Sequence, residues 1–238
     1  MTEPAVRLQV IATGVYEHAL KDLAAPFKQA SGHDVSFIIT NAGGVIAKLD
    51  GNQAADVVMT SSTGIDSLAA SGRVIASTKV DVGGMRLGVA VRSGAAEPDI
   101  RTPAALRGAL RAAAVAYIDP HGGGTSGPFL DRLFERLGVA GEVRANGIRC
   151  ATGGDVVRAV AAGSAALGVT QAAELIGLPG VHFVGFLPDD LQLVTIYATA
   201  VAGGTEALDA AKSFTAFIAG PAAAERLRSS GWQVVAAP

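Results

Sequence analysis

Short apolar runs alternate with longer amphipathic stretches along the chain. In the N-terminal part, residues 6–12 and 35–39 predict buried strands, and residues 17–30 carry apolar side chains at helical spacing. A helix from about Gly44 to Gly51 and a strand over residues 55–59 follow. This order predicts a βαβαβ unit.

The same alternation continues in the second half. Residues 86–92 alternate apolar and polar positions and predict a long connecting strand, and Thr102-Pro103 predicts a helix start with proline at its favoured first position. Further strands are predicted at 115–118, 167–171, 181–186 and 193–200, and further helices at about 65–70, 128–137, 155–162, 206–218 and 222–229. The pattern indicates an α/β fold with mostly parallel strands flanked by helices.

Composition and charge narrow the class of protein. Of 238 residues, 50% are hydrophobic and 17% are charged, which excludes a disordered chain. The balance of 19 Lys+Arg against 21 Asp+Glu gives a net charge of −2 without a basic cluster, so nucleic acid is not an expected partner. Cys150 is the only cysteine, so neither an internal disulfide nor a cysteine-based zinc site is expected.

The N-terminus bears on the compartment. The chain opens Met1-Thr2-Glu3-Pro4 and passes directly into a strand-like run, without the basic start and apolar stretch of a secretory signal. As printed it is expected to be cytoplasmic, or periplasmic if a signal peptide has been removed. Uncharged runs such as residues 191–205 are shorter than the ~20 residues of a membrane span, so no membrane insertion is expected.

Four predicted strand-to-helix junctions are rich in small and hydroxylated residues. In an open α/β sheet such junctions gather at the carboxyl ends of the strands, where helix N-termini favour an anion. Helix capping and turn formation are the alternative explanation. The candidates are Thr13, Gly14 and Tyr16 in the first junction, Thr40, Asn41, Gly43 and Gly44 in the second, Ser61 in the third, and Gly124, Thr125 and Ser126 in the fourth.

The fourth junction, residues 119–127, contains three consecutive glycines and matches neither a phosphate-binding P-loop nor a dinucleotide-binding motif. His121 within it is a candidate general base or carboxylate ligand, because histidine titrates near neutrality. Glu17 and His18 at the start of the first helix are weaker candidates for the same role, and Tyr16 can offer a phenol hydroxyl. No histidine pair or carboxylate cluster has metal-ligand spacing, so neither a metal site nor a cofactor is expected.

The order of elements, together with residues 8–12, 19–24, 55–58 and 220–224, resembles the type II periplasmic-binding-protein fold, in its molybdate-binding-protein-like branch. The resemblance covers essentially the whole chain. It implies two lobes, residues 1–82 plus 200–238 and residues 83–199, joined by two crossing strands with a ligand cleft between them.

The residues at two junctions disfavour molybdate or tungstate as the ligand. Molybdate binders place serine hydroxyls in the first two junctions, whereas the matching positions here lie near Val15 and Ala42. Residues 123–127, 168–171 and 187–192 instead resemble a divergent subgroup similar to aconitate isomerase, which adds Gln171 to the candidate ligand-binding residues.

Two functions remain open. In the first, the chain binds a small anion, a di- or tricarboxylate, and isomerises it by cofactor-independent proton transfer. His121, or less favourably His18 or Glu17, would move the proton, while Tyr16, Thr125 and Ser126 would hold the carboxylates. In the second, it is a non-catalytic solute-binding protein for an oxyanion or carboxylate, with an ABC permease as partner.

Overall fold

The computed structural model describes residues 5–234. These divide into two compact units, and each boundary falls inside a long strand. Strand β4 (Val80–Arg92) is divided after Gly84, and strand β9 (Val194–Val201) is divided after Thr195. The first unit contains the residues up to Gly84 and those from Ile196 onward, and the second contains Met85–Thr195. The boundaries expected after residues 82 and 199 lie within the same two strands.

The first unit contains three parallel strands in the order β2-β1-β3, followed by the antiparallel strand β9. The strands are β1 (Arg7–Thr13), β2 (Asp34–Thr40) and β3 (Val57–Ser61), and a short β10 (Gln233–Val234) pairs with the start of β4. The helices are α1 (Glu17–Ser31), α2 (Ala42–Asp50), α3 (Ser62–Ala70), α8 (Leu208–Ala219) and α9 (Pro221–Ser229).

Alternating side chains of these strands supply the core of the first unit. Ile11 on β1 and Val58 on β3 pack with Val45 on α2 and Ile65 on α3, so these two helices cover one face of the sheet. Because side chains two residues apart on a strand share a face, the same face continues toward the carboxyl ends of β1 and β3.

The second unit repeats the arrangement with β5 (Val115–Ile118), which pairs in parallel with β6 (Ile148–Cys150) and β7 (Leu167–Gln171). Strand β4 pairs antiparallel with β7 and with β8 (Val181–Phe186). Residues of α4 (Pro103–Ala112), α5 (Gly127–Leu137) and α6 (Ala140–Asn146) share one core cluster, and α7 (Gly153–Ala161) contributes to another.

Most predicted elements are present, and the differences have local causes. Parallel pairing is limited to three strands in each unit, because β4, β8 and β9 run antiparallel to their neighbours. Residues 60 and 61, expected in a loop, belong to β3 because Ala198 and Tyr197 of β9 pair with them. Helix α6 and strand β6 were not predicted, since seven and three residues are too short to show a clear period.

The helices of the described residues are short. The longest, α1, has 15 residues, and none within 5–234 combines the length and apolar character needed to cross a bilayer.

Candidate functional site

Hydroxylated residues end the three parallel strands of the first unit, Thr13 on β1, Thr40 on β2 and Ser61 on β3. Thr13 lies beside Thr40 in the parallel register, and the pairing of Ala12 with Met59 brings Thr13 and Thr60 to neighbouring positions on β1 and β3. Parallel residues in register point to the same face of a sheet, here the face that α2 and α3 cover. We call Thr13, Thr40, Thr60 and Ser61 the hydroxyl edge.

The helices that follow this edge begin with side-chain caps. The Gly44 N–H donates to Asn41 Oδ1 at 2.8 Å, and the Gly64 N–H donates to Ser61 Oγ at 3.2 Å. A Cβ at Gly44 would lie 2.1 Å from Thr40 Oγ1, so the first turn of α2 requires a glycine to fit over the threonine hydroxyl. These caps leave the N-terminal dipoles of α2 and α3 at the hydroxyl edge.

Two hydroxyls of the edge are buried without a hydrogen-bond partner among the described residues. Thr13 is 5% exposed and Thr60 is 1% exposed, and the Oγ1 atom of each has no partner there. A buried hydroxyl left unpaired costs about 1–3 kcal/mol, so these atoms are suited to receive a ligand. Sequence reasoning named Thr13 and Ser61 but missed Thr60, whose place directly before Ser61 in a run of hydroxylated residues was the available signal.

The second unit presents an amide at the equivalent strand end. Gln171, the last residue of β7, is 3% exposed, and its Nε2 lies 3.3 Å from Thr195 Oγ1 and 3.5 Å from Thr125 Oγ1. Gln171 Oε1 is buried and has no partner among the described residues. We call Gln171, Thr125 and Thr195 the amide cluster. Sequence reasoning missed Thr195, which belongs to no motif.

The amide cluster can adapt to its ligand. A threonine hydroxyl both donates and accepts, so either end of the Gln171 amide can bond to the two threonines. The opposite end then faces the ligand, as an acceptor oxygen or, after a half-turn of the amide, as an NH₂ donor. The cluster can therefore bind a carboxylate oxygen or a hydroxyl group.

The glycine-rich loop before α5 is shaped by close packing on β5. Gly123 adopts a φ of 78°, and a Cβ at Gly124 would lie 2.7 Å from Ile118 Cγ2. A Cβ at Gly127 would lie 2.6 Å from the Asp119 carbonyl oxygen. Backbone conformation and packing therefore explain three of the glycines. The buried Ser126 of the same loop lies at the N-terminus of α5.

The candidate bases differ in their exposure to solvent. His121 is exposed on the loop, and its backbone N–H donates to Asp119 Oδ1 at 3.0 Å. His18 lies half-buried in the first turn of α1, next to Glu17, whose carboxylate pairs with Lys21 at 2.6 Å. No hydrogen bond or ion pair among the described residues orients either imidazole ring. Within residues 5–234, no three His, Cys, Asp or Glu side chains are grouped as metal ligands.

Tyr16 differs from its expected role. Its side chain is fully buried beside Tyr197 and Trp232, and its hydroxyl donates to the Ala198 carbonyl oxygen at 3.2 Å. Burial raises the pKa of the Tyr16 hydroxyl well above its usual value. The hydroxyl hydrogen is therefore engaged inside the first unit instead of being offered to a ligand.

The candidate ligand-binding groups at each strand edge are neutral dipoles. Hydroxyls, a carboxamide and helix N-termini bind an anion by hydrogen bonds and partial charges, without a full counter-charge. Sequence reasoning placed the anion-binding groups at the strand ends, and their role in binding stays a prediction. The two arrangements lie in separate units and involve different chemistry: hydroxyls in the first, an amide held by hydroxyls in the second.

The chain is similar to several known proteins. The chain is 31% identical over 242 residues to aconitate isomerase from Pseudomonas sp, with 99% of this chain and 90% of that protein covered. The periplasmic molybdate-binding protein of Azotobacter vinelandii is 18% identical and has a TM-score of 0.82, covering 96% of this chain and 100% of that chain.

A second solved structure has the same fold. The sulfate-binding protein of Mycobacterium tuberculosis H37Rv is 20% identical with a TM-score of 0.78, covering 97% of this chain and 87% of that chain. At these identities the two structures establish the fold alone. The family model described as "Bacterial extracellular solute-binding protein" matches residues 8–233. Since this match spans nearly the whole chain, the protein belongs to the bacterial extracellular solute-binding protein family.

Proposed function

We propose that this protein binds a small di- or tricarboxylate and isomerises it by cofactor-independent proton transfer, with the hydroxyl edge of the first unit and the amide cluster of the second as the candidate anion-binding groups. The observation that carries the binding step is a set of buried polar atoms at the strand ends that have no partner within residues 5–234, namely Thr13 Oγ1, Thr60 Oγ1 and Gln171 Oε1. The 31% identity to aconitate isomerase across 99% of this chain supports the reaction and the substrate class.

The proposed reaction balances without a redox partner. A base removes a proton from the methylene carbon next to one carboxylate, the double bond shifts, and a proton is returned to the former vinylic carbon. The intermediate negative charge spreads onto the carboxylate oxygens, where N–H and hydroxyl donors stabilise it. His121 is the proposed base, with His18 as the second choice, because an imidazole accepts and returns a proton near neutral pH.

The alternative function is binding without catalysis, as a receptor that delivers an oxyanion or carboxylate to an ABC permease. The solute-binding family match and the fold shared with molybdate- and sulfate-binding proteins favour it. The engaged hydroxyl of Tyr16 and the exposed position of His121 also favour it, because no side-chain hydrogen bond among the described residues orients the His121 or His18 ring for proton transfer.

Thermal unfolding with cis-aconitate, trans-aconitate, citrate, molybdate and sulfate separates the two functions. A ligand that binds the folded state raises the melting temperature according to RT ln(1 + [L]/Kd). The aconitate samples are then followed by proton NMR in deuterated buffer. We expect stabilisation by the aconitates together with interconversion of the isomers or deuterium uptake at carbon.

Two other outcomes of these experiments would contradict the proposed isomerisation. Stabilisation by an anion whose NMR spectrum stays unchanged for hours would support the binding-protein alternative and remove the catalytic roles. If none of the five anions stabilised the protein, both functions would be rejected.

A further inference from the structure

A carboxylate of the protein itself lies at the N-terminus of α7. A Cβ placed on Gly153, the first residue of that helix, would lie 2.2 Å from Glu174 Oε2 and 2.6 Å from Oε1. Only a glycine therefore leaves room for the carboxylate. The buried Thr170 hydroxyl donates to Glu174 Oε2 at 2.7 Å and holds the carboxylate in this position.

The helix start explains why a negative group is favoured there. The Asp155 N–H bonds to the Thr152 side chain and the Val156 N–H bonds to the Thr152 carbonyl, so these two donors of the first turn are satisfied within α7. The N–H groups of Gly153 and Gly154 come before them. Together with the helix dipole they favour a negative charge at this end.

The topology places this carboxylate at the same strand edge as the amide cluster. Strands β5, β6 and β7 are parallel, α5 follows β5, and α7 follows β6, so both helices start at the carboxyl edge. The two helices pack on opposite faces of this sheet. Helix α5 shares a core cluster with Val115 and Tyr117 of β5, whereas α7 shares one with Ala116 and Ile118. Gln171 and Glu174 both follow the end of β7.

We infer that Glu174 sets the preference for ligand charge: its carboxylate fills the N-terminus of α7, so that the second unit offers an external anion the N-terminus of α5 and the amide cluster, and more highly charged ligands bind less well. This inference rests on the proposed anion binding for its affinity consequences. Like charges near one edge repel in proportion to the charge on the ligand.

Glu174→Gln tests the inference, because glutamine keeps the size of the side chain and an oxygen for the Thr170 hydroxyl. Glu97→Gln is the matched control. It removes the same charge from the same unit, but Glu97 follows β4, which runs antiparallel to β7, and pairs with His182. Glu174→Ala serves as a second variant if the glutamine protein does not fold.

Amide shifts in ¹⁵N-resolved NMR give the readout, with succinate as the titrated anion. On addition of succinate, we expect the Gly153 and Gly154 amide signals to shift in Glu174→Gln. In wild type and in Glu97→Gln the same signals should keep their positions. We also expect the affinity for trans-aconitate to rise about threefold more than that for succinate, corresponding to the additional ligand charge.

The two proposals fail in different ways. Unchanged Gly153 and Gly154 amides in Glu174→Gln, with an unchanged ratio of the two affinities, would overturn the role of Glu174. A lack of any shift at Thr125 and Gly127 in wild type would count against the proposed anion binding instead, and the α7 amides of the variant would still decide the role of Glu174.

Discussion

The Tyr16 hydroxyl donates a hydrogen bond to the carbonyl oxygen of Ala198 at 3.2 Å, across 182 positions of sequence. The donor lies just after β1 and the acceptor lies in β9. The ring packs with Trp232 at a centroid distance of 4.8 Å and edge-on against Tyr197 at 5.8 Å. The contact therefore links the end of the first strand to a strand contributed by the distant C-terminal part of the unit.

We expect Tyr16→Phe to lower the free energy of unfolding by about 1 kcal/mol, because a buried hydrogen bond is lost and the Ala198 carbonyl is left without that donor. Ligand affinity should change less than twofold, since the hydroxyl is engaged within the protein. Urea denaturation and calorimetric titration measure the two effects. A tenfold loss of affinity at unchanged stability would restore Tyr16 as a ligand contact.

The hydroxyl edge can be tested by valine substitutions, which remove one hydroxyl at nearly constant shape. We expect Thr13→Val and Thr60→Val each to weaken anion binding by about tenfold or more, the value of a hydrogen bond to a charged group. Calorimetric titration with the anion that stabilises wild type is the measurement.

Thr199→Val is the matched control for these variants. Thr199 is also fully buried, and its Oγ1 has no partner among the described residues. It pairs with Met59, however, and so lies on the opposite face of the sheet from Thr60. We expect its affinity to stay at the wild-type value and its stability to rise by about 1 kcal/mol, because an unpaired buried hydroxyl is removed. Equal loss of affinity in all three variants would indicate a general effect on folding.

Replacement of His121 separates binding from catalysis. We expect His121→Ala to abolish isomer interconversion while keeping ligand affinity within about threefold, because the imidazole is proposed to move a proton and not to hold the carboxylates. His182→Ala, which removes an exposed histidine paired with Glu97, is the control and should keep full turnover. Retained turnover in His121→Ala would transfer the role to His18, tested by His18→Ala.

From the buried thiol of Cys150 we expect the free energy of unfolding to depend on pH in the alkaline range. Burial, with a smaller contribution from Asp155, raises the pKa of the Cys150 thiol from 9.0 to about 11. Below pH 9 the thiol is protonated in both states and its contribution is complete. Between pH 9 and 11 the unfolded chain ionises first, so the free energy of unfolding falls as pH rises.

We expect this effect to reach about 1–2 kcal/mol and to be absent in Cys150→Ala, whose stability should fall less steeply over the same range. Guanidinium denaturation of both proteins at pH 8 and pH 10.5 measures the difference in slope. Parallel slopes would show that the thiol is not protected by burial in the folded protein.

Apolar runs with clear end signals were sufficient to predict several strands. Strands β5, β7 and β8 have the residue bounds that their apolar runs predict, because a buried strand needs a short apolar run with clear end signals. Helix α6 and strand β6 lack that information, since seven and three residues gain their structure from neighbours in space. Thr60 and Ser61 join β3 only because β9 supplies their pairing partners.

The sequence by itself determined the α/β class and the positions of the strand-to-helix junctions, because both follow from local periodicity and capping chemistry. Only the tertiary structure decided which polar groups meet there. Strand register put Thr13 beside Thr40, packing engaged Tyr16 with Ala198, and Thr195 joined Gln171 from a strand with no motif. These contacts depend on residues far apart in the chain, so no local pattern encodes them.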